Sequence, residues 1–339
     1  MPLFWPLRSP PRSLDRDVRR RVFVRIPTIL GWIATVFLGV VCVAEITNST
    51  RTIILLVAQA LLPILTFLGG SITCVAGLAR KRLLTATSGV LSLCLLAYTL
   101  GPTRPFEAPT LHPSELPLTL AFSNTLDRGS SPDKARSILD VRADLVVAVE
   151  ASDSFFGDMA TEQAVAFYPH SARAGQNYQD RSGLWSRYPI ISAKPGRFGH
   201  SSLLVTLDVA GKSLQILVVH VSNGATGSLS DWERDLRSLA NYASTLTGPV
   251  LVVGDFNATL GHPALREMQR VGFREVHSWL GGGLRPSWPL DRGPIPPLMR
   301  IDHGFAKGGV LPLKVSDFTV PESDHRAFLI RFIVRAEVA

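Results

Sequence analysis

The hydrophobic pattern divides the chain into an apolar first third and a longer remainder in which apolar and polar residues alternate. Three long apolar stretches, 26–46, 53–79 and 83–100, come first, and the second and third contain no Lys, Arg, Asp or Glu. A helix of about 20 apolar residues crosses a bilayer core of about 30 Å. The pattern predicts three transmembrane helices. The third stretch, with several hydroxyl side chains, is also compatible with a buried or re-entrant segment.

The first stretch follows a basic segment, a pattern that is also typical of a cleaved secretion signal. It is longer than the apolar core of such a signal, and no small-residue cleavage site follows it. Two further apolar stretches do follow. We interpret the first stretch as a retained membrane anchor.

Basic residues mark one side of the predicted membrane region. Residues 1–25 contain seven Arg against two Asp, and the segment 80–82 between the second and third stretches reads Arg-Lys-Arg. Because cytoplasmic segments are enriched in Lys and Arg, both are predicted to face the cytoplasm. With three spans, the rest of the chain is predicted to be extracytoplasmic. With two spans it would be cytoplasmic.

Five prolines in 101–117 predict an extended linker, and 118–339 has the size of one domain. Runs with strand composition recur in this domain. The predicted strands are 118–124, 145–149, 201–209, 214–220, 250–253, 299–305 and 327–334. Helical patterns cover about 131–141 and 230–244, the second with a Ser230–Glu233 capping box. The glycine- and proline-rich segment 281–297 predicts a long mobile loop.

The connection 210–213 is short enough for a hairpin between two predicted strands. The sheet is therefore predicted to be mixed or antiparallel. This α/β pattern excludes a doubly wound nucleotide-binding fold, in which helices separate parallel strands.

Predicted strands repeatedly end in carboxylate, amide or imidazole groups. The residues are Asn124, Glu150, His220, Asp255 with Asn257, Asp302, and Asp324 with His325. One such residue alone is most often a structural cap. Their repetition predicts a site in which oxygen donors bind a hard cation and bases transfer protons.

Four segments in this region resemble motifs of the endonuclease/exonuclease/phosphatase superfamily. This superfamily of metal-dependent phosphoesterases includes DNase I-like nucleases, inositol-polyphosphate phosphatases and neutral sphingomyelinases. The segments are 254–258 (GDFNA), 300–303 (RIDH), 323–325 (SDH) and 183–190 (GLWSRYPI). The resemblance implies a four-layer α/β sandwich, two mixed β-sheets flanked by helices. Here the sandwich is preceded by an N-terminal three-helix transmembrane region.

The resemblance also implies a metal site. Glu150, with Asn124 and Asp324, would hold Mg²⁺, with Mn²⁺ as the alternative metal. Val149 departs from the family pattern, which commonly has Gln before the glutamate. The departure removes a candidate hydrogen bond beside Glu150.

The same resemblance implies catalytic roles for the remaining strand-end residues. Asp255 would orient and deprotonate the attacking water, and Asn257 would donate a hydrogen bond to a phosphoryl oxygen. His325, held by Asp302, and His220 would stabilise the charge that builds on the phosphoryl group. One of the two histidines would protonate the leaving oxygen.

The charge balance of the domain and its short linker to the membrane region indicate which substrates are favoured. From Gly101 onward, 24 basic residues balance 24 acidic ones, whereas duplex DNA is bound through an excess of Lys and Arg. Nucleic acid is therefore disfavoured as a partner. A short tether keeps the active site beside the bilayer, where lipid headgroups have a high effective concentration.

The predicted arrangement is similar to family members associated with glycopeptide-antibiotic resistance. It implies a multi-pass protein of the cell membrane with an extracytoplasmic catalytic domain. Its substrate would be a lipid-linked phosphate or pyrophosphate, such as polyprenyl pyrophosphate. Three alternatives stay open: a membrane-tethered nuclease, a sphingomyelinase-like phosphodiesterase and a non-enzymatic membrane scaffold.

Overall fold

The computed structural model describes residues 12–126, 132–175, 181–196, 198–290 and 293–335. The chain forms two compact units. The helical unit combines Met1–Val43 with Pro63–Leu96, and the sheet unit combines Ala44–Leu62 with Ala97–Ala339. The sheet unit thus includes residues 44–62, which the apolar pattern assigns to the membrane region. Residues 1–11 of the predicted basic N-terminus lie outside the described residues.

Four helices cover the apolar stretches: α1 (Arg12–Ile46), α2 (Ile53–Ala60), α3 (Leu62–Leu78) and α4 (Arg82–Leu100). In the described chain, Ile26–Ile46 of α1 and the whole of α4 are long and apolar enough to cross a membrane. Helices α2 and α3 qualify only as a pair, and they are bent by 81° at the break between them. The described chain therefore has two candidate spans, or three if the bent pair counts as one.

The prediction of a single helix over 53–79 is wrong at Leu61, where α2 ends. Pro63 follows two residues later and has no backbone N–H for a continuing helix. Proline also disfavours helical geometry in the residue before it, whereas it fits the first turn of a new helix. The chain accordingly restarts as α3 in a different direction.

Twelve strands are seen in the described part of the sheet unit. They are β1 (Leu118–Asn124), β2 (Leu145–Val149), β3 (His170–Ala174), β4 (Ser182–Ser186), β5 (Ile190–Pro195), β6 (Ser201–Val209), β7 (Lys212–His220), β8 (Val250–Asp255), β9 (Arg274–Glu275), β10 (Asp302–Lys307), β11 (Val310–Thr319) and β12 (Arg326–Val334). The first sheet has the order β11-β12-β1-β2-β4-β3, and the second has the order β5-β6-β7-β8-β10-β9. Strand β1 is parallel to β2, and β7 is parallel to β8, while the other neighbours are antiparallel. The predicted mixed sheets are confirmed.

Helices cover the outer face of each sheet. They are α5 (Pro132–Leu139), α6 (Asp153–Asp158), α7 (Glu162–Phe167), α8 (Leu229–Ser244) and α9 (Pro263–Arg270). The short helix α10 (Val276–Trp279) instead contributes Val276 and Trp279 to the core between the sheets. One apolar core, with Leu203 and Phe328, fills the space between the sheets. A second lies under α8 and α9 around Trp232, and a third lies under α5 and α6 around Ile138. The four-layer sandwich is confirmed.

The backbone shows the outcome of two local predictions, the hairpin at 210–213 and the start of the helix at Ser230. The hairpin between β6 and β7 has Ala210 and Gly211 at its tip, with φ of 52° and 81°. Positive φ at both central residues is the geometry of a type I′ turn, which matches the twist of the two strands. Helix α8 starts one residue before the predicted Ser230, and its N-cap is Ser228, whose hydroxyl accepts from the Asp231 N–H.

Candidate active site

The topology brings the polar strand ends to one edge of the sandwich. Because β1 and β2 are parallel, as are β7 and β8, their carboxyl ends lie on the same side of each sheet. Strands β10 and β12 are antiparallel to β8 and β1, so their amino ends meet that edge. Asp255 pairs in register with both His220 and Asp302. The residues that the sequence singles out therefore converge.

Asp255, the last residue of β8, lies at the centre of this cluster and is only 1% exposed. Its Oδ1 accepts from the backbone N–H of Asn257 at 2.8 Å. Its Oδ2 accepts from Asn124 Nδ2 at 3.0 Å and lies 3.9 Å from Nε2 of both His220 and His325. One carboxylate oxygen thus faces an amide and two imidazoles.

Asn124 is the last residue of β1, and Glu150 directly follows the neighbouring strand β2. Asn124 Nδ2 donates to Glu150 Oε1 at 3.0 Å, and His220 Nε2 lies 3.4 Å from the same oxygen. Glu150 has a φ of 48°, which non-glycine residues rarely adopt, and its side chain is 21% exposed. The Asn124 Oδ1 accepts from the Leu126 N–H at 3.0 Å. Asn124, predicted as a metal ligand, is here a hydrogen-bond donor between two carboxylates.

His325 and Asp302 form a buried ion pair. His325 Nδ1 lies 2.9 and 3.1 Å from the two oxygens of Asp302. Ser287 Oγ donates to Asp302 Oδ2 at 2.7 Å and accepts from the backbone N–H of Ile301 and of Asp302. This arrangement holds the imidazole so that its Nε2 faces Asp255.

Asp324, also predicted as a metal ligand, lies beside His325. Its Oδ2 accepts from Trp288 Nε1 at 3.1 Å, and its Oδ1 lies 3.7 Å from His325 Nε2. That Oδ1 is buried and has no hydrogen-bond partner among the described residues. Within the described chain, the acidic and imidazole groups close enough to share an ion are Glu150, His220 and Asp255, and Asp255, Asp302 and His325. Asp324 borders these groups without joining either.

Asn257 is held firmly at the start of the loop after β8. Its Nδ2 donates to Val221 O at 2.8 Å, and its Oδ1 accepts from Asn223 Nδ2 at 3.2 Å. Trp232 Nε1 donates to its backbone oxygen at 3.0 Å, and its φ is 48°. The amide nitrogen carries a second N–H for a further acceptor.

Sequence reasoning missed three supporting residues. Ser287 and Trp288 lie in the loop predicted to be mobile, yet they hold Asp302 and Asp324, and Leu290 N–H donates to Asp324 O. The described part of that loop is therefore tied to the site. Residues 291 and 292 lie outside the described residues. The third supporting residue, Asn223, follows β7 in a polar turn that carries no motif.

Of the six histidines without a predicted role, three are buried in structural contacts. His277 lies 3.3 Å from both Glu275 and Asp317, and His303 lies 3.4 Å from Glu275. His262 bonds to backbone atoms only, apart from a longer contact with the Thr259 hydroxyl. The ring of His200 lies 5.0 Å from that of His220, at the margin of the site.

A family model described as "Endonuclease/Exonuclease/phosphatase family" matches residues 124–325, more than half of the chain. The chain belongs to the endonuclease/exonuclease/phosphatase family. Enzymes of this family are metal-dependent phosphodiesterases, phosphatases and nucleases. The matched residues begin at Asn124 and end at His325, so they bracket the whole cluster.

Solved structures show the family fold at low sequence identity. A Danio rerio TDP2 in complex with a single-strand DNA product is 15% identical, with a TM-score of 0.53, covering 64% of this chain and 98% of that one. A family protein from Beutenbergia cavernae is 17% identical, with a TM-score of 0.50 and coverage of 66% and 73%. One from Bacteroides thetaiotaomicron is 14% identical, with a TM-score of 0.50 and coverage of 66% and 100%. No curated protein matches the chain significantly in sequence.

The residues present fit the divalent cation that the family uses. Glu150, Asp255 and Asp302 place three carboxylates at one edge, and each has an oxygen within 4 Å of an imidazole nitrogen. The buried Oδ1 of Asp324 has no hydrogen-bond partner among the described residues and lies 3.7 Å from His325 Nε2, so it can accept a further cationic partner. Hard oxygen donors of this kind suit Mg²⁺ or Mn²⁺.

Crowding of acidic groups changes the proton affinities in the cluster. Burial and the negative charge of Asp302 raise the pKa of Asp255 to about 7, against the opposing charge of His325. Burial would lower the pKa of His325, but the charge and hydrogen bond of Asp302 outweigh it and raise that pKa to about 10. His325 is therefore cationic at neutral pH, while Asp255 is close to its point of ionisation.

Proposed function

We propose that this protein is a membrane-anchored, Mg²⁺-dependent phosphoesterase that hydrolyses a lipid-linked phosphate or pyrophosphate, such as polyprenyl pyrophosphate, outside the cytoplasm. The observation that carries the proposal is which segments of the chain make up the sheet unit. It unites the family's acidic and imidazole cluster with 44–62, the segment between two apolar membrane helices. An active site built onto the ends of such helices meets substrates that reside in the bilayer.

In the proposed mechanism, a water molecule attacks phosphorus and gives its proton to Asp255. The bond from phosphorus to the leaving oxygen breaks, and His220 or His325 protonates that oxygen. Asn124 and Asn257 N–H keep the Asp255 carboxylate in place by hydrogen bonds at 3.0 and 2.8 Å. The cationic His325, oriented by Asp302, stabilises negative charge on the phosphoryl oxygens. Glu150 would hold a divalent cation such as Mg²⁺, which would supply Lewis-acid stabilisation of the same charge.

His220 completes the proposed set. Its Nε2 lies between Glu150 and Asp255, at 3.4 and 3.9 Å, so it can donate to an oxygen bound in the same place. Asn257 contributes its second amide N–H to a phosphoryl oxygen. A lipid carrier with a terminal phosphate or pyrophosphate presents such oxygens. A long polyanion such as DNA would require an excess of basic residues, whereas this domain is formally neutral from Gly101 onward.

Contacts inside the sheet unit support the proposed location. Asn48 lies in the connection 47–52, and its backbone oxygen accepts from Arg237 on α8 at 3.1 Å. Its side chain accepts from Arg270 on α9 at 2.7 Å. These contacts support three spans, because with three spans the connection and the catalytic region would lie on the same side of a membrane. The Arg-rich start of the chain and segment 80–82 favour the cytoplasm for the other side.

A topology reporter tests this location. A reporter that is active only outside the cytoplasm is expected to be active when fused after Ala339, and a cytoplasm-specific reporter is expected to be silent there. A fusion placed after Arg82 serves as the control and should give the reverse pattern. Cytoplasmic activity at both fusion points would contradict the extracytoplasmic proposal.

The substrate proposal is tested with purified full-length protein in lipid nanodiscs. Phosphate release from polyprenyl pyrophosphate is compared with cleavage of plasmid DNA and of sphingomyelin, with the Asp255→Asn variant as the blank. We expect hydrolysis of the polyprenyl substrate to exceed cleavage of the other two. Faster cleavage of DNA would support the tethered nuclease, and faster cleavage of sphingomyelin would support the phosphodiesterase.

Metal removal provides a further prediction. Activity is expected to disappear in a chelator and to return with Mg²⁺ or Mn²⁺, because the clustered groups are mainly carboxylates. Glu150→Gln is expected to raise the metal concentration needed for half-maximal activity. Glu162→Gln, on the surface helix α7, is the matched control and should leave that concentration unchanged. Full activity in the chelator would exclude the metal-dependent mechanism.

A further inference from the structure

Helix α2 belongs to the sheet unit, although the sequence assigns it to a membrane span. Its inner face is buried: Leu56 joins the core beneath α8 and α9, and Gln59 is fully buried. His262 Nε2 donates to the Leu56 carbonyl at 2.9 Å, and Thr50 Oγ1 donates to Gln59 Oε1 at 2.7 Å. Helix α2 is therefore a packed element of this unit rather than half of a straight span.

Helix α9 also contacts the end of α1 through an ion pair. Arg266 Nη2 lies 2.7 Å from Oε2 of Glu45, and the two side chains are 8% and 0% exposed. The guanidinium of Arg266 also lies over the ring of Tyr98, at 5.4 Å from its centroid. Glu45 is an acidic residue inside the first apolar stretch, so that stretch is not free of charge. The ends of three apolar stretches thus meet α9 within one unit.

The outer face of α2 is as apolar as the inner face. Ile53, Ile54 and Val57 point away from the unit, and Ile54 is 66% exposed. The helix reads IILLVAQA and carries no charged side chain. A helix that is apolar on all sides requires apolar surroundings on all sides. Helix α8, which faces water, instead places charged residues such as Arg234 on its outer face.

The continuation of the chain identifies what covers this face. Helix α3 starts directly after α2, has 17 uncharged residues and is about 25 Å long. The two helices are bent by 81°. If α3 crosses the bilayer, α2 lies almost parallel to the membrane surface, and the apolar residues on its outer face lie at the depth of the lipid interface.

We infer that α2 is an interfacial helix whose outer face, Ile53, Ile54 and Val57, contacts the lipid bilayer, while its inner face carries the sheet unit. This contact holds the sheet unit to the bilayer at a point separate from the linker 101–117. The inference concerns the bilayer and does not depend on which phosphoester is the substrate.

The test measures the depth of single nitroxide labels in full-length protein in nanodiscs. Cys42, Cys74 and Cys94 are replaced by alanine, and one cysteine is introduced at Ile54. Collision rates with oxygen, which partitions into lipid, are compared with those of a water-soluble nickel chelate. We expect the oxygen-to-nickel ratio at position 54 to be several-fold higher than at Arg234, the aqueous control on α8.

A label at Val36, an exposed residue of α1, reports separately whether the helical unit is in the membrane. Lipid exposure at 36 with a water-like ratio at 54 would overturn the inference and leave the membrane anchor intact. Shielding of position 54 from both reagents would also overturn it, because the face would then contact protein, such as a second copy of the chain. A label at Val57, on the same face, replaces position 54 if that variant fails to fold.

Discussion

Replacing Asp255 with asparagine is expected to lower turnover by about 10²-fold or more, because asparagine has nearly the same shape but cannot accept a proton from water. The asparagine oxygen can still accept the Asn257 N–H that now bonds Asp255 Oδ1, and only the bond from Asn124 Nδ2 to Oδ2 is lost. Folding and substrate binding should therefore be retained. Initial rates at saturating substrate, with binding measured on the same preparation, check this result. Asp231→Asn, on the half-exposed surface of α8, is the matched control.

The same variant has a predicted effect on stability. The pKa of Asp255 is raised from its ordinary value of 3.8 to about 7 by burial and by Asp302. A carboxyl whose folded pKa is raised favours folding when protonated, so ionisation costs stability as the pH rises from about 4 to 7. Without metal at pH 8, Asp255→Asn should therefore unfold within a few degrees of the wild type, because relief from ionisation offsets the lost hydrogen bond from Asn124. An active variant, or one that is strongly destabilised, would contradict the assigned role.

Replacing Arg266 with methionine is expected to destabilise the sheet unit by about 3–5 kcal/mol, because it leaves the carboxylate of Glu45 buried without its partner. For a domain of this size, such a loss corresponds to a fall in unfolding temperature of roughly 10 °C. Thermal unfolding of the protein in nanodiscs checks the value. Arg136→Ala, which breaks the exposed ion pair with Asp133, should change stability by less than about 1 kcal/mol.

A double-mutant cycle measures how much of the lost stability comes from the interaction between Glu45 and Arg266 and how much from packing of each side chain. Glu45→Leu combined with Arg266→Met removes both charges, so the pair should recover much of the stability lost in Arg266→Met alone. Recovery should be incomplete because Arg266 Nη1 also donates to the carbonyls of Leu260 and Gly261. Strictly additive effects would show that Glu45 and Arg266 do not interact.

Most of the sandwich was predictable because its central strands carry strong local signals. The predicted strands 118–124, 145–149 and 201–209 match β1, β2 and β6 in their bounds. Strands β3, β5 and β11 were missed because they lie at or near sheet edges, where one face meets water and polar residues interrupt the apolar run. Strand β4 is fully buried, but its sequence SGLWS has too few apolar residues to show it.

The candidate site was predictable as a set of residues, since motifs and strand ends both mark them. The distances between their side chains could not be predicted, because those distances depend on how the two sheets stack. Asn124 ends β1 and Asp255 ends β8 in the other sheet, yet their side chains lie 3.0 Å apart. The supports Ser287 and Trp288 were missed because a loop without periodicity gives no sign of which strand it packs against.

The sequence by itself determined the family, the order of the candidate site residues along the chain and the presence of apolar segments, because each depends on residue type and local spacing. Only the tertiary structure decided the place of residues 44–62. An apolar run has the same composition whether it crosses lipid or packs against a protein core. Pro63, the buried Leu56 and the Glu45–Arg266 pair act together to bend the chain after Leu61, and the two partners of that pair are 221 residues apart in sequence.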